Sequence, residues 1–104
     1  MKKLFREVKE LNKLDEVGPE FRLAKLFEES GELARAVNMD LGRKKHNLSK
    51  KEVKAEIAEE AADTIQCIFS LIDYYGITHK DVKKNFKKKN AKWKKIMKQR
   101  KKSK

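Results

Sequence analysis

Residues 49–76 read SKKEVKAEIAEEAADTIQCIFSLIDYYG, and this stretch decides the fold class. Ser49 and Glu52 have the spacing of a capping box, in which each side chain accepts a hydrogen bond from the other residue's backbone amide. No Pro or Gly follows until Gly76, and glycine is typical of helix C-termini. The stretch therefore predicts one long helix from Ser49 to about Tyr75.

Two more helices are predicted on the N-terminal side. Apolar residues recur every three or four positions at Leu4, Val8, Leu11 and Leu14, which favours a first helix from about Lys2 to Leu14. Gly18-Pro19 interrupts this pattern, and Pro19 suits the first turn of a second helix that runs to about Met39. Residues 40–48 lack periodicity and indicate a loop.

A fourth helix is predicted after Gly76. Thr78 to Asp81 provides its cap, and its apolar residues are Val82, Phe86, Trp93, Ile96 and Met97. We expect its lysine-rich end to fray. With no strand alternation and no repeat, the sequence predicts an all-α helical bundle of about four helices, with residues 1–97 as a single domain and 98–104 as a basic C-terminal tail. A chain of 104 residues buries limited surface, so we expect oligomerisation to complete the bundle.

The charge of the chain is concentrated in its last quarter. There are 28 Lys and Arg against 16 Asp and Glu, a net charge of +12. Residues 80–104 contain 14 of the basic residues and a single acid, Asp81, which leaves the rest of the chain close to neutral. The excess positive charge therefore belongs to one terminal segment and not to the whole domain.

Cysteine usage and hydropathy exclude several classes of protein. Cys67 is the one cysteine, which excludes an internal disulfide framework and a zinc site built from paired cysteines, and its apolar surroundings favour a buried, inert thiol. The longest run without a charged residue, Thr64 to Ile72, has nine residues, far fewer than the roughly 20 that span a bilayer. The basic N-terminus meets Glu7 before an apolar run develops, unlike a signal peptide. We expect a cytoplasmic protein with no membrane partner.

Acidic residues form two groups on the second and third helices. Glu28, Glu29 and Glu32 fall within about 100° of one another on the second helix. Glu60 and Asp63 are one turn apart on the third helix, with Glu56 one turn earlier. We expect the opposite side of the third helix to face the core, because it carries Ile57, Ala61, Ile65, Ile68 and Ile72.

Such a concentration of acids needs a compensating charge. No Lys or Arg occurs between Ala55 and Tyr75. Mg²⁺ takes oxygen ligands and is often held jointly by carboxylates and substrate phosphates, so a divalent ion is one answer. The other is a solvated acidic face with no ligand at all.

Three motifs follow one another along the chain. The first motif is FEESGEL at residues 27–33, and the second is EEAAD at residues 59–63. A Gly-Ile turn at Gly76-Ile77 then leads to a basic helix with KNAKW at residues 89–93. This ordered set resembles the MazG-like all-α nucleoside triphosphate pyrophosphohydrolases, and the resemblance covers roughly residues 21–93.

This resemblance implies an activity and a set of site residues. The enzymes cleave (deoxy)nucleoside triphosphates between the α and β phosphates, which yields a nucleoside monophosphate and pyrophosphate. By the same resemblance, Mg²⁺ is bound by Glu29, Glu32, Glu60 and Asp63. Glu28 orients the attacking water or binds a second ion, while Lys89, Asn90 and Lys92 contact phosphate or sugar oxygens. A homo-oligomer, either a dimer or a tetramer, is expected as well.

A nucleic-acid-binding helical protein is the competing interpretation. In it, the basic C-terminal helix contacts phosphates, and the acidic groups are merely exposed surface. This alternative explains the charge of residues 80–104 but leaves the spacing of the two acidic motifs as coincidence.

Overall fold

Four helices make up the fold. The computed structural model describes residues 1–103 and contains α1 (Lys2–Leu14), α2 (Pro19–Asp40), α3 (Lys50–Asp73) and α4 (His79–Ser103). No strand occurs within these residues, so the prediction of an all-α fold with four helices is confirmed. In this part of the chain, no helix combines the length and the hydropathy of a membrane-spanning segment.

Side-chain caps begin the two longest helices. Ser49 Oγ accepts a hydrogen bond from the Glu52 amide at 3.2 Å, and the Ser49 amide donates to Glu52 Oε1 at 3.0 Å. Thr78 and Asp81 form the same reciprocal pair at α4, with distances of 3.3 and 2.9 Å. These hydrogen bonds from the backbone lower the pKa of both the Glu52 and the Asp81 carboxyl. The predicted capping box of α3 is therefore confirmed.

A glycine with positive φ follows each of the two central helices. Gly42, after α2, has a φ of 74°, and Gly76, after α3, has a φ of 68°. A residue with a Cβ atom is strained in this region, so glycine allows the chain to leave each helix sharply. The predicted stop at Gly76 is confirmed, although α3 ends at Asp73, slightly before the expected Tyr75.

The α2–α3 pair is the centre of the molecule. These two helices share the largest interface in the described chain, and Ala36 of α2 and Val53 of α3 are almost fully buried. α1 packs on α3 through Phe5, whose ring lies edge-on to that of Phe69 at a centroid distance of 5.3 Å. Burial of these side chains supplies the hydrophobic free energy of folding.

A polar network also joins α1 to the C-terminal half of α3. Asn12 Nδ2 donates to the Ser70 carbonyl at 2.9 Å and to Asp73 Oδ2 at 3.0 Å. Ser70 Oγ, which is buried, donates back to Asn12 Oδ1. Buried polar groups need such partners, so the network sets the position at which α1 docks on α3.

α4 extends away from the other helices. None of its residues is buried, and its first turn lies near α1, where the His79 ring is 6.1 Å from that of Phe5. The helix continues without interruption to Ser103, and the expected fraying of its lysine-rich end stays a prediction. The domain division at residue 97 coincides with no change in secondary structure and stays a prediction; Lys104 lies outside the described residues.

The isoleucine side of α3 is not the core of a single chain. Ile65 and Ile68 remain 41% and 39% exposed, whereas the buried residues of α3 are Val53, Cys67, Phe69 and Ser70. The expectation that this side faces the core is therefore wrong for Ile65 and Ile68 in the single chain, whereas Ile57, Ala61 and Ile72 are half-buried. The reason is that α2 packs against the side of α3 that carries Val53 and Cys67, which is also the side of the acidic residues. A radius of gyration of 17.2 Å, against about 13 Å for a compact chain of this length, agrees with incomplete burial.

Candidate active site

Three carboxylates meet between α2 and α3. Glu29 comes from α2, and Glu60 and Asp63 come from successive turns of α3. One carboxylate oxygen from each lies within 4.8 Å of the others, and all three residues are half-buried. We call this group the carboxylate cluster. The i,i+3 spacing of Glu60 and Asp63 directs both side chains to the same face of α3, which here is the face toward α2.

Glu60 has the least favourable environment of the three. Its Oε2 atom is inaccessible to solvent and has no hydrogen-bond partner. Desolvation raises the pKa of the Glu60 carboxyl, and the negative charges of Asp63 and Glu29 raise it further. A buried carboxylate oxygen without a partner is costly, so the cluster is suited to a cation that would restore the missing interaction.

The available basic side chains compensate the cluster only at its edge. Lys25 Nζ lies 4.0 Å from Glu29 Oε1 and 3.7 Å from Glu28 Oε1. Within residues 1–103, no Lys or Arg side chain lies within ion-pair distance of Glu60 or Asp63. The middle of α3 contains no basic residue, which predicts a site without a compensating positive charge. α2 supplies one lysine, Lys25, and within the carboxylate cluster it pairs with Glu29 alone.

Glu28 and Glu32 lie outside the carboxylate cluster. Glu32 is exposed and pairs with Arg35 at 3.9 Å, although it is near enough to contribute to the raised pKa of Glu60. Glu28 is exposed and points toward Lys25. The structure thus brings together three of the four carboxylates predicted to bind metal, and it leaves Glu32 and Glu28 at the rim.

The donor set fits a hard divalent cation. All three members of the cluster offer carboxylate oxygens, which are the ligands that Mg²⁺ prefers, and no sulfur or imidazole ligand accompanies them. Three protein ligands from one side also leave coordination positions for water or substrate phosphates, as is usual for Mg²⁺ sites. The unpartnered oxygen of Glu60 is the observation that favours a bound ion over a solvated acidic face.

The basic residues predicted to contact substrate lie elsewhere in the single chain. Lys89, Asn90 and Lys92 are exposed on α4. Lys89 and Asn90 line a groove with Ile72 at the C-terminal end of α3. Ile72 is nine residues beyond Asp63, about 13 Å along the helix axis. Within one chain, these side chains are therefore not brought to the carboxylate cluster.

Comparison with known protein families identifies the family of the chain. Residues 2–90 match the family described as phosphoribosyl-ATP pyrophosphohydrolase. The chain belongs to this family. The family is part of the superfamily of all-α nucleoside triphosphate pyrophosphohydrolases, which supports a pyrophosphohydrolase activity on nucleotides.

One curated protein is similar to this chain over most of the length of both. The uncharacterized protein YvdC of Bacillus subtilis (strain 168) is 41% identical over 86 residues, which cover 79% of this chain and 81% of the relative. No solved structure matches the chain. Enzymes of the phosphoribosyl-ATP pyrophosphohydrolase family typically depend on a metal, in agreement with the chemistry of the carboxylate cluster.

A small cavity lies about one helical turn from the carboxylate cluster, and it is lined in part by Arg35, a basic residue that the sequence analysis did not single out. Its volume is about 230 Å³, and its lining residues are Glu32, Arg35, Ala36, Met39, Leu48 and Glu56. The position of Arg35, one turn after Glu32, was the available signal in the sequence. Ligand pockets usually measure about 300–1,000 Å³, so this cavity of the single chain is too small to enclose a whole nucleotide.

Proposed function

We propose that this chain is a Mg²⁺-dependent, MazG-like pyrophosphohydrolase that cleaves (deoxy)nucleoside triphosphates between the α and β phosphates. The products would be a nucleoside monophosphate and pyrophosphate. The observation that carries the proposal is the cluster of Glu29, Glu60 and Asp63, with its buried and unpartnered Glu60 oxygen. Membership in a pyrophosphohydrolase family supports the reaction class.

Four carboxylates would hold the metal: Glu29, Glu32, Glu60 and Asp63. Bound Mg²⁺ would offset the charge of the triphosphate, align its phosphates and lower the pKa of water. Glu32 is occupied by Arg35 in the free chain, but an exposed ion pair at 3.9 Å contributes little free energy. Little therefore opposes the transfer of Glu32 from Arg35 to the site.

The remaining polar residues would position the reactants. Glu28 would accept a hydrogen bond from the attacking water and so orient it, or it would take part in a second cation site. Lys25 Nζ, 3.7 Å from Glu28 Oε1, would help to hold this side chain in place. Lys89 and Lys92 would contribute positive charge to phosphate oxygens, and the Asn90 amide would donate to a phosphate or a sugar oxygen.

A homo-oligomer would complete the enzyme, as a dimer or a tetramer. Three observations support a second copy: the exposed isoleucine side of α3, the small cavity beside the carboxylate cluster, and α4 extending away from the other helices. Exposed apolar area of this kind is characteristic of subunit interfaces. In such an assembly, Lys89, Asn90 and Lys92 would be free to approach the carboxylates of a neighbouring copy. We also place the enzyme in the cytoplasm, as expected for a nucleotide substrate.

A pyrophosphate-release assay tests the function. The purified protein is incubated with each NTP, each dNTP and phosphoribosyl-ATP in the presence of Mg²⁺, so that the family's eponymous substrate is compared directly with the triphosphates. We expect pyrophosphate from at least one nucleoside triphosphate, and a loss of about 100-fold or more in Glu60→Gln and Asp63→Asn. Glu59→Gln is the matched control, because Glu59 is an exposed acid of the same helix outside the cluster.

Two results would overturn the proposal. One is the absence of pyrophosphate with every nucleotide. The other is undiminished release in the Glu60 and Asp63 variants. Release from phosphoribosyl-ATP alone would retain the reaction class and replace the proposed substrate.

A further inference from the structure

Apart from Lys92, the last 13 described residues of α4 have no role in the proposed pyrophosphohydrolase site. The family match ends at residue 90, whereas the helix continues to Ser103. Every residue from 91 to 103 is exposed. The segment contains seven basic residues and no acid, and the basic residues are Lys92, Lys94, Lys95, Lys98, Arg100, Lys101 and Lys102. We call residues 91–103 the distal segment.

The positive charge of the distal segment has no partner in the described chain. No acidic side chain lies within ion-pair distance of any of its seven basic groups. On a helical projection, its lysines cover about half of the circumference, over a length of about 18 Å. Like charges at i,i+3 and i,i+4 repel one another on an exposed helix, so this arrangement is stabilised when an external polyanion neutralises it.

An aromatic residue lies beside this lysine surface, on the adjoining side of the helix. Trp93 is the one tryptophan of the chain and is 65% exposed. Arg100 lies two turns further along nearly the same line of the helix. An exposed indole beside cationic side chains is the combination with which proteins bind single-stranded nucleic acid, where bases stack on the ring and phosphates meet the charges.

We propose that the distal segment binds the phosphodiester backbone of nucleic acid without sequence preference, with Trp93 as a stacking platform for unpaired bases. Six of the seven basic residues are lysines, which act as point charges and lack the two-pronged geometry with which arginine reads guanine. A helix of about 18 Å is long enough to follow about five base pairs of duplex, or the equivalent length of single strand. Apart from Lys92, the distal segment takes no part in the proposed hydrolysis at the carboxylate cluster.

A membrane surface fits the distal segment less well. A helix that lies in the membrane interface needs an apolar face along its length. Here the large apolar residues are Trp93, Ile96 and Met97, which occupy little more than one turn, and residues 98–103 contain none. The second half of the segment therefore has charge but no apolar area to insert.

Fluorescence anisotropy with labelled 20-nucleotide RNA, single-stranded DNA and duplex DNA tests the proposal at several KCl concentrations. The test variant replaces Lys95, Lys98, Lys101 and Lys102 with Gln. The matched control replaces four exposed lysines outside α4, Lys3, Lys9, Lys51 and Lys54, so that both variants lose the same charge. A third variant, Trp93→Leu, tests stacking.

We expect the test variant to bind at least about tenfold more weakly at 100 mM KCl. Its salt dependence, the slope of log K against log[salt], should fall by about 3, since each phosphate contact on a single strand contributes about 0.7. The control variant should keep most of the affinity, and Trp93→Leu should weaken binding to single strands more than to duplex. Pyrophosphate release should be equal in wild type and test variant.

Three outcomes would overturn the proposal. The first is an affinity loss that is equal in the test and control variants, which would reflect total charge alone. The second is no binding to any nucleic acid, combined with a blue shift of Trp93 emission on vesicles of three parts phosphatidylcholine to one part phosphatidylserine. The third is a distal segment covered by the acidic side of a second copy, which would appear as dissociation of the oligomer in the test variant without a change in nucleic-acid affinity.

Discussion

Glu29 of α2 and Glu60 of α3 present carboxylate oxygens within 4.8 Å of each other across the central helix interface. Lys25 lies within ion-pair distance of Glu29, whereas no basic side chain in residues 1–103 lies within ion-pair distance of Glu60. Two helices that pack well elsewhere, at Ala36 and Val53, therefore meet here through mutually repelling groups. A bound cation would make such an arrangement favourable.

Mg²⁺ should stabilise the folded protein through the carboxylate cluster. A cation at 100 times its dissociation constant adds about 2.7 kcal/mol, which corresponds to a rise of roughly 10 °C or more in Tm for a domain of this size. Differential scanning fluorimetry with and without Mg²⁺ measures the shift. In Glu60→Gln and Asp63→Asn the shift should disappear, while Glu59→Gln should retain it. Equal shifts in all four proteins would place the ion elsewhere.

The same experiment in EDTA separates binding from folding. Glu60→Gln removes a desolvated charge that Asp63 and Glu29 repel, so the metal-free variant should be at least as stable as the metal-free wild type. A lower Tm for the variant in EDTA would show that Glu60 is a structural residue.

Glu28 should affect turnover more than metal binding. Because its side chain is exposed and directed toward Lys25, Glu28→Gln should leave the Mg²⁺-dependent rise in Tm intact. If Glu28 orients the attacking water, kcat should fall by about 10²–10⁴-fold, the usual contribution of a general base. Steady-state pyrophosphate kinetics beside the thermal shift provide the two readouts. An unchanged kcat in Glu28→Gln would show that Glu28 is a surface residue with no part in turnover.

The helices, and the acidic residues that each of α2 and α3 contributes to the carboxylate cluster, were predictable from the sequence because both depend on local patterns. Helix caps and i,i+3 spacings are local, so Ser49 with Glu52, and Glu60 with Asp63, follow from residue types a few positions apart. Which side of α3 is buried depends instead on what packs against it. The isoleucines are the most apolar side chains of α3, but in a single chain α2 covers Val53 and Cys67.

The ion pairs at the rim of the candidate site follow from helical spacing within α2, because Lys25 precedes Glu29 by four residues and Arg35 follows Glu32 by three. The sequence alone does not indicate which of these side chains lies nearest α3. Cys67 was expected to be a buried thiol, and this is confirmed: it is 7% exposed, and desolvation raises its pKa. The roles of Lys89, Asn90 and Lys92 depend on an assembly, which no local pattern specifies.

The exposed isoleucines should mediate self-association. Multi-angle light scattering should give a mass at least twice the 12.2 kDa of one chain. Ile68→Glu places a charge on the uncovered apolar side of α3 and should yield a monomer, because burial of an unpaired charge in an interface is strongly unfavourable. Leu41→Glu, at an exposed leucine after α2, is the matched control and should remain associated. A wild type that is monomeric at all concentrations would contradict this prediction.

Acid should destabilise the fold through His79. Desolvation lowers the pKa of the His79 imidazole, and the charges of Lys2 and Arg6 on α1 and of Lys80 and Lys83 on α4 lower it further. The unfolded chain therefore takes up a proton at His79 more readily as the pH falls below about 6.5. The contribution of the neutral His79 side chain to the free energy of unfolding is therefore fully present above about pH 6.5. It is lost as the pH falls through the lower pKa of the folded state.

Thermal melts between pH 7.5 and 5.5 test this effect. His79→Phe keeps an aromatic ring beside Phe5 and removes the titration, so its Tm should fall less with acid than that of the wild type. The matched control replaces His46, exposed in the loop after α2, with Phe. Identical slopes for wild type and His79→Phe would exclude His79 as the source.

The contacts of α1 allow it to open without disturbing the carboxylate cluster. Asn12 and Phe5 hold α1 to the C-terminal half of α3, whereas the carboxylate cluster belongs to α2 and the middle of α3. Opening of α1 would break the Asn12 network without separating Glu29 from Glu60. The helix hairpin α2–α3 is thus the smallest unit that contains the cluster, and its amides should exchange with solvent deuterium later than those of α1.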